Sequence, residues 1–149
     1  MPRRNGFTLI ETLMVIVVVS LTGLIAIPRL TDALSQATLR TSRAKVMSFY
    51  AAARASATTS ARPTYLHLNN NRIYVTALGR RKPGNGVQDT VTAIENVYTL
   101  YGATLLTTQD SIRIDPSGLG ASGATTTIRL LKGSRVDTIL VSPYGRVQK

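Results

Sequence analysis

The side chains in this sequence that could carry acid–base, nucleophilic or metal chemistry are few and far apart. His67 is the one histidine, cysteine is absent, and seven of the 149 residues are acidic. Asp89, Glu95, Asp110, Asp115 and Asp137 stand singly, so their spacing draws neither a carboxylate pair nor a nucleophile with its base. A lone histidine lacks the neighbouring ligands a metal needs, and without cysteine there is no disulfide or thiolate site. Two strings imitate catalytic motifs. "GLGASG" at 118–123 has the letters of a dinucleotide-binding turn, but the strand-like "ATTTIRLL" follows where a helix is required, so it reads as a mobile loop. "SRAK" at 42–45 has S-x-x-K spacing without its partner motifs and reads as a solvated helix face. The sequence predicts no enzyme, no cofactor and no metal.

One ionisable residue does stand out. Glu11 is the only charge in residues 7–27, about 21 residues that match the roughly 20 needed to cross a bilayer as a helix. An unpaired carboxylate there costs roughly 2 kcal/mol or more, so Glu11 points to a function. The apolar run exceeds a secretory h-region and has no small-residue cleavage site at its end, where Pro28, Arg29 and Leu30 stand, so the segment is expected to be retained. Orientation is open on charge alone, with Arg3 and Arg4 before the span and Arg29, Arg40 and Arg43 after it.

The elements that must position these residues follow from pattern. The stretch from Leu30 to about Ala61 lacks Gly and Pro and permits one long helix, ended by Arg62 and Pro63 and kinked at Pro28. Leu30, Leu34, Ala37, Ala44, Met47, Ala51 and Ala55 mark one apolar stripe, and Phe49, Tyr50 and Ala53 open a second after Val46. Beyond Pro63, β-branched and aromatic runs alternate with turn formers: "TYLHL", "RIYVTA", the basic turn "GRRKPGNG", "VYTLYGATLLTT", "SIRID", "TTTIRLLK" and "DTILVSPYGRVQ". These predict six or seven strands in an antiparallel meander on the helix, an α+β fold, with "PSGLGASG" as a flexible connection. The formal charge of +11 suits nucleic acid, anionic lipid or an acidic protein without choosing among them.

The segment "RRNGFTLIETLMVIVVVSLTGLIAIP" resembles the N-terminal signature of type IV prepilins and type II secretion pseudopilins. The resemblance implies a leader at 1–6, a membrane and filament-core helix at 7–28, an amphipathic continuation at 29–62 and a β-rich domain at 63–149. It also implies a prepilin peptidase that cuts after Gly6 on the cytoplasmic side and N-methylates Phe7. Glu11 then pairs with the terminal ammonium of a neighbouring subunit, and Pro28 belongs to the assembling helix. The other implied partners are further pilin or pseudopilin subunits and the bacterial inner membrane, with the C-terminal domain in the periplasm or outside.

The closing segments "SIRIDPSG", "TTTIRL" and "DTILVSPYGRV" resemble the GspH/FimT family of minor pilins and pseudopilins, with Ile139, Val141, Ser142, Gly145 and Arg146 on its final strand. Members of that family divide between secretion filaments and DNA capture through a basic C-terminal G-R-x-R. Here the end reads "GRVQK", with Gln148 in place of the second arginine. The implied alternative is a DNA-binding minor pilin using Arg146 and Lys149, joined by Arg129, Lys132 and Arg135, with Arg80, Arg81 and Lys82 as a rival basic turn.

Overall fold

A computed structural model describes residues 8–79 and 88–148. Helix α1 (Leu9–Ser60) is followed by a β-rich region, and the chain divides within α1 into two compact units, Met1–Leu34 and Ser35–Lys149.

In the first unit, α1 begins on a cap. The Glu11 amide donates to the Thr8 carbonyl at 3.1 Å and to Thr8 Oγ1 at 3.3 Å, and the Thr12 amide reaches the same carbonyl at 3.2 Å. Thr8 thus occupies the N-cap position and Glu11 the third helical position, the spacing of a capping box. Every large apolar side chain from Leu9 to Ile27 is exposed, and this helix is long and apolar enough to cross a membrane. Its hydroxyls need no water: Thr12 Oγ1 donates to the Leu9 carbonyl at 2.8 Å, Ser20 Oγ to Ile16 at 2.7 Å and Thr22 Oγ1 to Val18 at 2.7 Å. Pro28 lies inside the helix, where it withholds one N–H from the ladder.

In the second unit, Leu39, Ser42, Val46, Phe49, Tyr50, Ala53 and Ala57 are the buried face of α1. The predicted first stripe is the wrong face here: Ala37, Ala44, Ala51 and Ala55 are exposed and Met47 is half-buried, while Leu30 and Leu34, exposed as well, belong to the first unit. Alanines spaced by seven fit any face, and the larger side chains decide which one the sheets cover. "SRAK" is not a solvated face either. Ser42 is buried, Arg43 pairs with Asp137 at 2.9 Å, and Lys45 pairs with Glu95 at 2.9 Å. The hydrogen bond to Glu95 raises the Lys45 pKa above its ordinary value.

The helix ends at Ser60 with Ala61 in the left-handed region at φ 52° and the Arg62 amide donating to the Ala57 carbonyl at 3.2 Å. This is a Schellman-type stop with alanine where glycine is unstrained. Ala61→Gly should therefore stabilise the protein by about 0.5–1 kcal/mol, read as a raised denaturation midpoint at unchanged slope.

Strands β1 (Thr64–Asn69), β2 (Arg72–Leu78) and β3 (Gln88–Thr90) form an antiparallel meander, and β4 (Glu95–Asn96) also pairs with β2. The meander then breaks. Strand β5 (Thr104–Thr107) joins a second sheet, whereas β6 (Ser111–Ile114) returns to lie beside β1. The second sheet has the order β5, β7 (Thr126–Lys132), β8 (Arg135–Val141), β9 (Val147–Gln148). Alternation buries Leu66, Leu68, Ile73, Val75, Ile112 and Ile114 from the first sheet, and Leu105, Ile128, Leu130, Ile139 and Val141 from the second, in one core with the helix face.

"VYTLY" is not a strand but helix α2 (Val97–Tyr101). Asn96 caps it by accepting from the Thr99 amide, and Gly102 stops it at φ 62°, its amide donating to the Tyr98 carbonyl. Those two caps outweigh the strand preference of Val, Tyr and Thr. The "PSGLGASG" connection is also tied down. The Asp115 amide donates to Leu119 at 2.9 Å, Gly118 to Asp115 at 2.8 Å and Ala121 to Arg113 at 2.9 Å, and Gly120 bridges Ile114.

Candidate functional site

Two regions hold the residues of interest. At the N-terminal one, Glu11 sits in the first turn of α1, where the unpaired amides and the helix dipole favour a carboxylate by about 0.3–1 kcal/mol. That offsets part of the cost of placing it in an apolar segment. Gly6 and Phe7 lie outside the described residues.

The second region is built where α1 meets two loops. Tyr50 Oη donates to the Gly145 carbonyl at 2.9 Å, and Arg54 Nε donates to the Gly118 carbonyl at 2.8 Å. Burial raises the Tyr50 pKa, opposed by Arg54, so the hydroxyl remains a donor. Neither loop could be held so closely with larger residues. A Cβ on Gly120 would lie 2.8 Å from the Gly145 nitrogen and 2.8 Å from the Pro143 oxygen, and one on Gly145 would lie 2.7 Å from Tyr50 Oη. Between the loops, the helix and β9 lies a groove of about 640 Å³ lined by Met47, Ala51, Arg54, Leu119, Tyr144 and Arg146, with Val147 at its side. Gly118 and Gly120 of "GLGASG" therefore serve close packing, whereas Gly123 has open space around it.

The family model for the prokaryotic N-terminal methylation motif matches residues 1–27. No curated protein matches the sequence. Among solved structures, the type IV minor pilin FimU of Pseudomonas aeruginosa is similar, with a TM-score of 0.58 at 10% identity, covering 76% of this chain and 88% of that one. A second crystal form of FimU gives a TM-score of 0.54 at 11% identity, covering 73% and 90%. The chain has the α+β pilin fold.

On this pilin fold the basic residues named from sequence do not gather into one patch. Arg129 is exposed and pairs across from Thr138, on the face of the second sheet opposite the buried Ile128 and Leu130. Lys132 and Arg135 pair with each other at the β7–β8 turn on the inward-facing side, and Lys132 Nζ donates to the Tyr101 carbonyl at 3.4 Å. Arg146 is exposed beyond the other end of β8, about 20 Å away at 3.3 Å per strand residue. Lys149 and the turn carrying Arg80, Arg81 and Lys82 lie outside the described residues. His67 stacks on Tyr74 with ring centroids 4.6 Å apart, and its Nε2 lies 2.9 Å from Thr76 Oγ1. Among the described residues no three His, Cys, Asp or Glu side chains come together as a metal site would need.

Sequence reasoning missed Arg54 as a site residue and placed Tyr50 only on a helix stripe. The partners of Tyr50 and Arg54 lie 95 and 64 residues away, beyond the reach of any local pattern.

Proposed function

We propose that this chain is a minor pilin or pseudopilin, cut after Gly6, N-methylated on Phe7 and drawn by its N-terminal helix from the bacterial inner membrane into a type IV pilus-like or type II secretion filament. The observation that carries this reading is the methylation motif at residues 1–27 running directly into a helix whose first part is apolar and exposed. Its FimU-like fold supports the same reading. Glu11 then meets the new terminal ammonium of a neighbouring subunit. Incubation of the full-length protein with a prepilin peptidase should remove residues 1–6 and add one methyl group to Phe7, both read by mass spectrometry. A chain left intact beside a processed control prepilin defeats the proposal.

A second reading, a FimT-like minor pilin that binds DNA, is favoured by Arg54 and Arg146 sharing one groove with no acidic residue in its lining. Loss of Arg3 and Arg4 with the leader lowers the formal charge from +11 to +9, which leaves the domain basic. Such contacts would be to phosphates, so binding should be indifferent to sequence and steeply reduced by salt. Replacing Arg146 and Lys149 with alanine should flatten the plot of log affinity against log salt by about two units. An unchanged slope counts against this site.

A further inference from the structure

The groove beside β9 has a property that its two arginines alone do not convey. Strand β9 is an edge strand of the second sheet, and among the described residues its only partner is β8. The Ser142 amide donates to the Arg146 carbonyl at 2.8 Å, closing the turn, and Val147 then stands opposite Val141 as the next pair. Bonding alternates from pair to pair along an antiparallel ladder, so the Val147 N–H and C=O point away from β8. Among the described residues they form an unused donor and acceptor on the open edge, at a residue that lines the groove. The sheet's opposite edge is treated differently: Asn71 Oδ1 accepts the Leu105 amide of β5 at 2.7 Å.

We propose that this groove receives an extended, acidic segment of a partner protein, added to the sheet beside β9. Three features select that occupant. The backbone edge offers both a donor and an acceptor, which a peptide backbone answers, whereas a phosphate backbone supplies acceptors only. Arg54 and Arg146 face a lining without a carboxylate, so alternate side chains of the segment are acidic. Met47 and Ala51 on the helix wall give the intervening side chains an apolar contact, and Tyr144, 74% exposed at the rim, is an aromatic anchor with no partner ring among the described residues. The hydrogen bonds from Tyr50 and Arg54 hold both loops in place before anything binds, which lowers the ordering cost. Such a segment would compete with DNA for Arg146.

The test uses the full-length protein in a nonionic detergent and fluorescence anisotropy. The probes are a labelled peptide of alternating glutamate and valine, its lysine–valine counterpart, and a single-stranded oligonucleotide of the same charge as the acidic peptide. The acidic peptide should bind and the basic one should not. Arg146→Glu should weaken binding about tenfold or more through charge. Val147→Pro removes the edge N–H and leaves the backbone hydrogen bonds to β8 in place; the Val147 side chain packs on the core, so some loss of thermal stability is expected, and the folded variant should bind about tenfold more weakly. If that proline disturbs folding, Tyr144→Ala alters only an exposed side chain and should also lower the affinity. Equal binding of the oligonucleotide and the acidic peptide, full affinity in a folded Val147→Pro variant, or no peptide binding overturns the proposal.

Discussion

Glu11→Ala should insert into membranes at least as well as the native chain and yet be largely lost from filaments. Removing an ionisable group from an apolar segment lowers the insertion cost, which near the end of a span is smaller than at its centre. Assembly runs the other way. Once the terminal ammonium of a neighbour and the Glu11 carboxylate are both out of water, deleting one leaves the other uncompensated, at about 3–5 kcal/mol. That corresponds to a factor of roughly 10² to several times 10³ in the assembly equilibrium. Thr8 and Glu11 also stand in capping-box positions, so part of the effect could arise within the helix. Glu11→Gln separates the two, because glutamine serves in a capping box but carries no charge. Filament entry restored by glutamine assigns Glu11 to the cap, and entry lost in both variants assigns it to charge pairing. Normal incorporation of the alanine variant would remove the pairing role altogether.

The parts of this fold that could be read in sequence are those set by periodicity over many residues. The apolar run marks the exposed apolar part of α1, and alternation in "TYLHL", "RIYVTA", "SIRID" and "TTTIRLLK" marks β1, β2, β6 and β7 within a residue or two. What was hidden depends on long-range choice. The exposed alanines of α1 satisfy a helical stripe as well as the buried residues do, and only the sheets decide between them. The exchange of β5 and β6 between sheets cannot be seen in either strand alone, since each is a short alternating run. At α2 two capping residues overrule a five-residue segment in which four residues are of strand-like type. The site followed the same division: Glu11 was visible as an anomaly of local composition, whereas the groove exists only because Tyr50 and Arg54 reach across the chain to two glycine turns.

Those turns give the largest expected loss of stability. Gly145 has φ 82°, and its position is closed by Tyr50 Oη and by the Gly120 nitrogen, 2.7 and 2.8 Å from where a Cβ would stand. Gly145→Ala therefore incurs two penalties: the left-handed conformation at about 1–2 kcal/mol, and a collision that must displace either the buried tyrosine or another backbone, at about 1–3 kcal/mol. Gly123 serves as the reference. At φ 70° with nothing within 4 Å of where a methyl group would stand, Gly123→Ala carries the conformational penalty alone. The melting temperature of the full chain should fall by about 10 °C or more for Gly145→Ala and by roughly half that for Gly123→Ala. Gly120→Ala, whose φ is ordinary but whose Cβ would meet the Pro143 oxygen and the Gly145 nitrogen at 2.8 Å, isolates the collision. Because both loops wall the groove, Gly145→Ala and Gly120→Ala should also perturb it, while Gly123→Ala leaves it intact. Equal losses at Gly145 and Gly123 would mean that the loops yield without cost, and that Tyr50 does not hold the groove in shape.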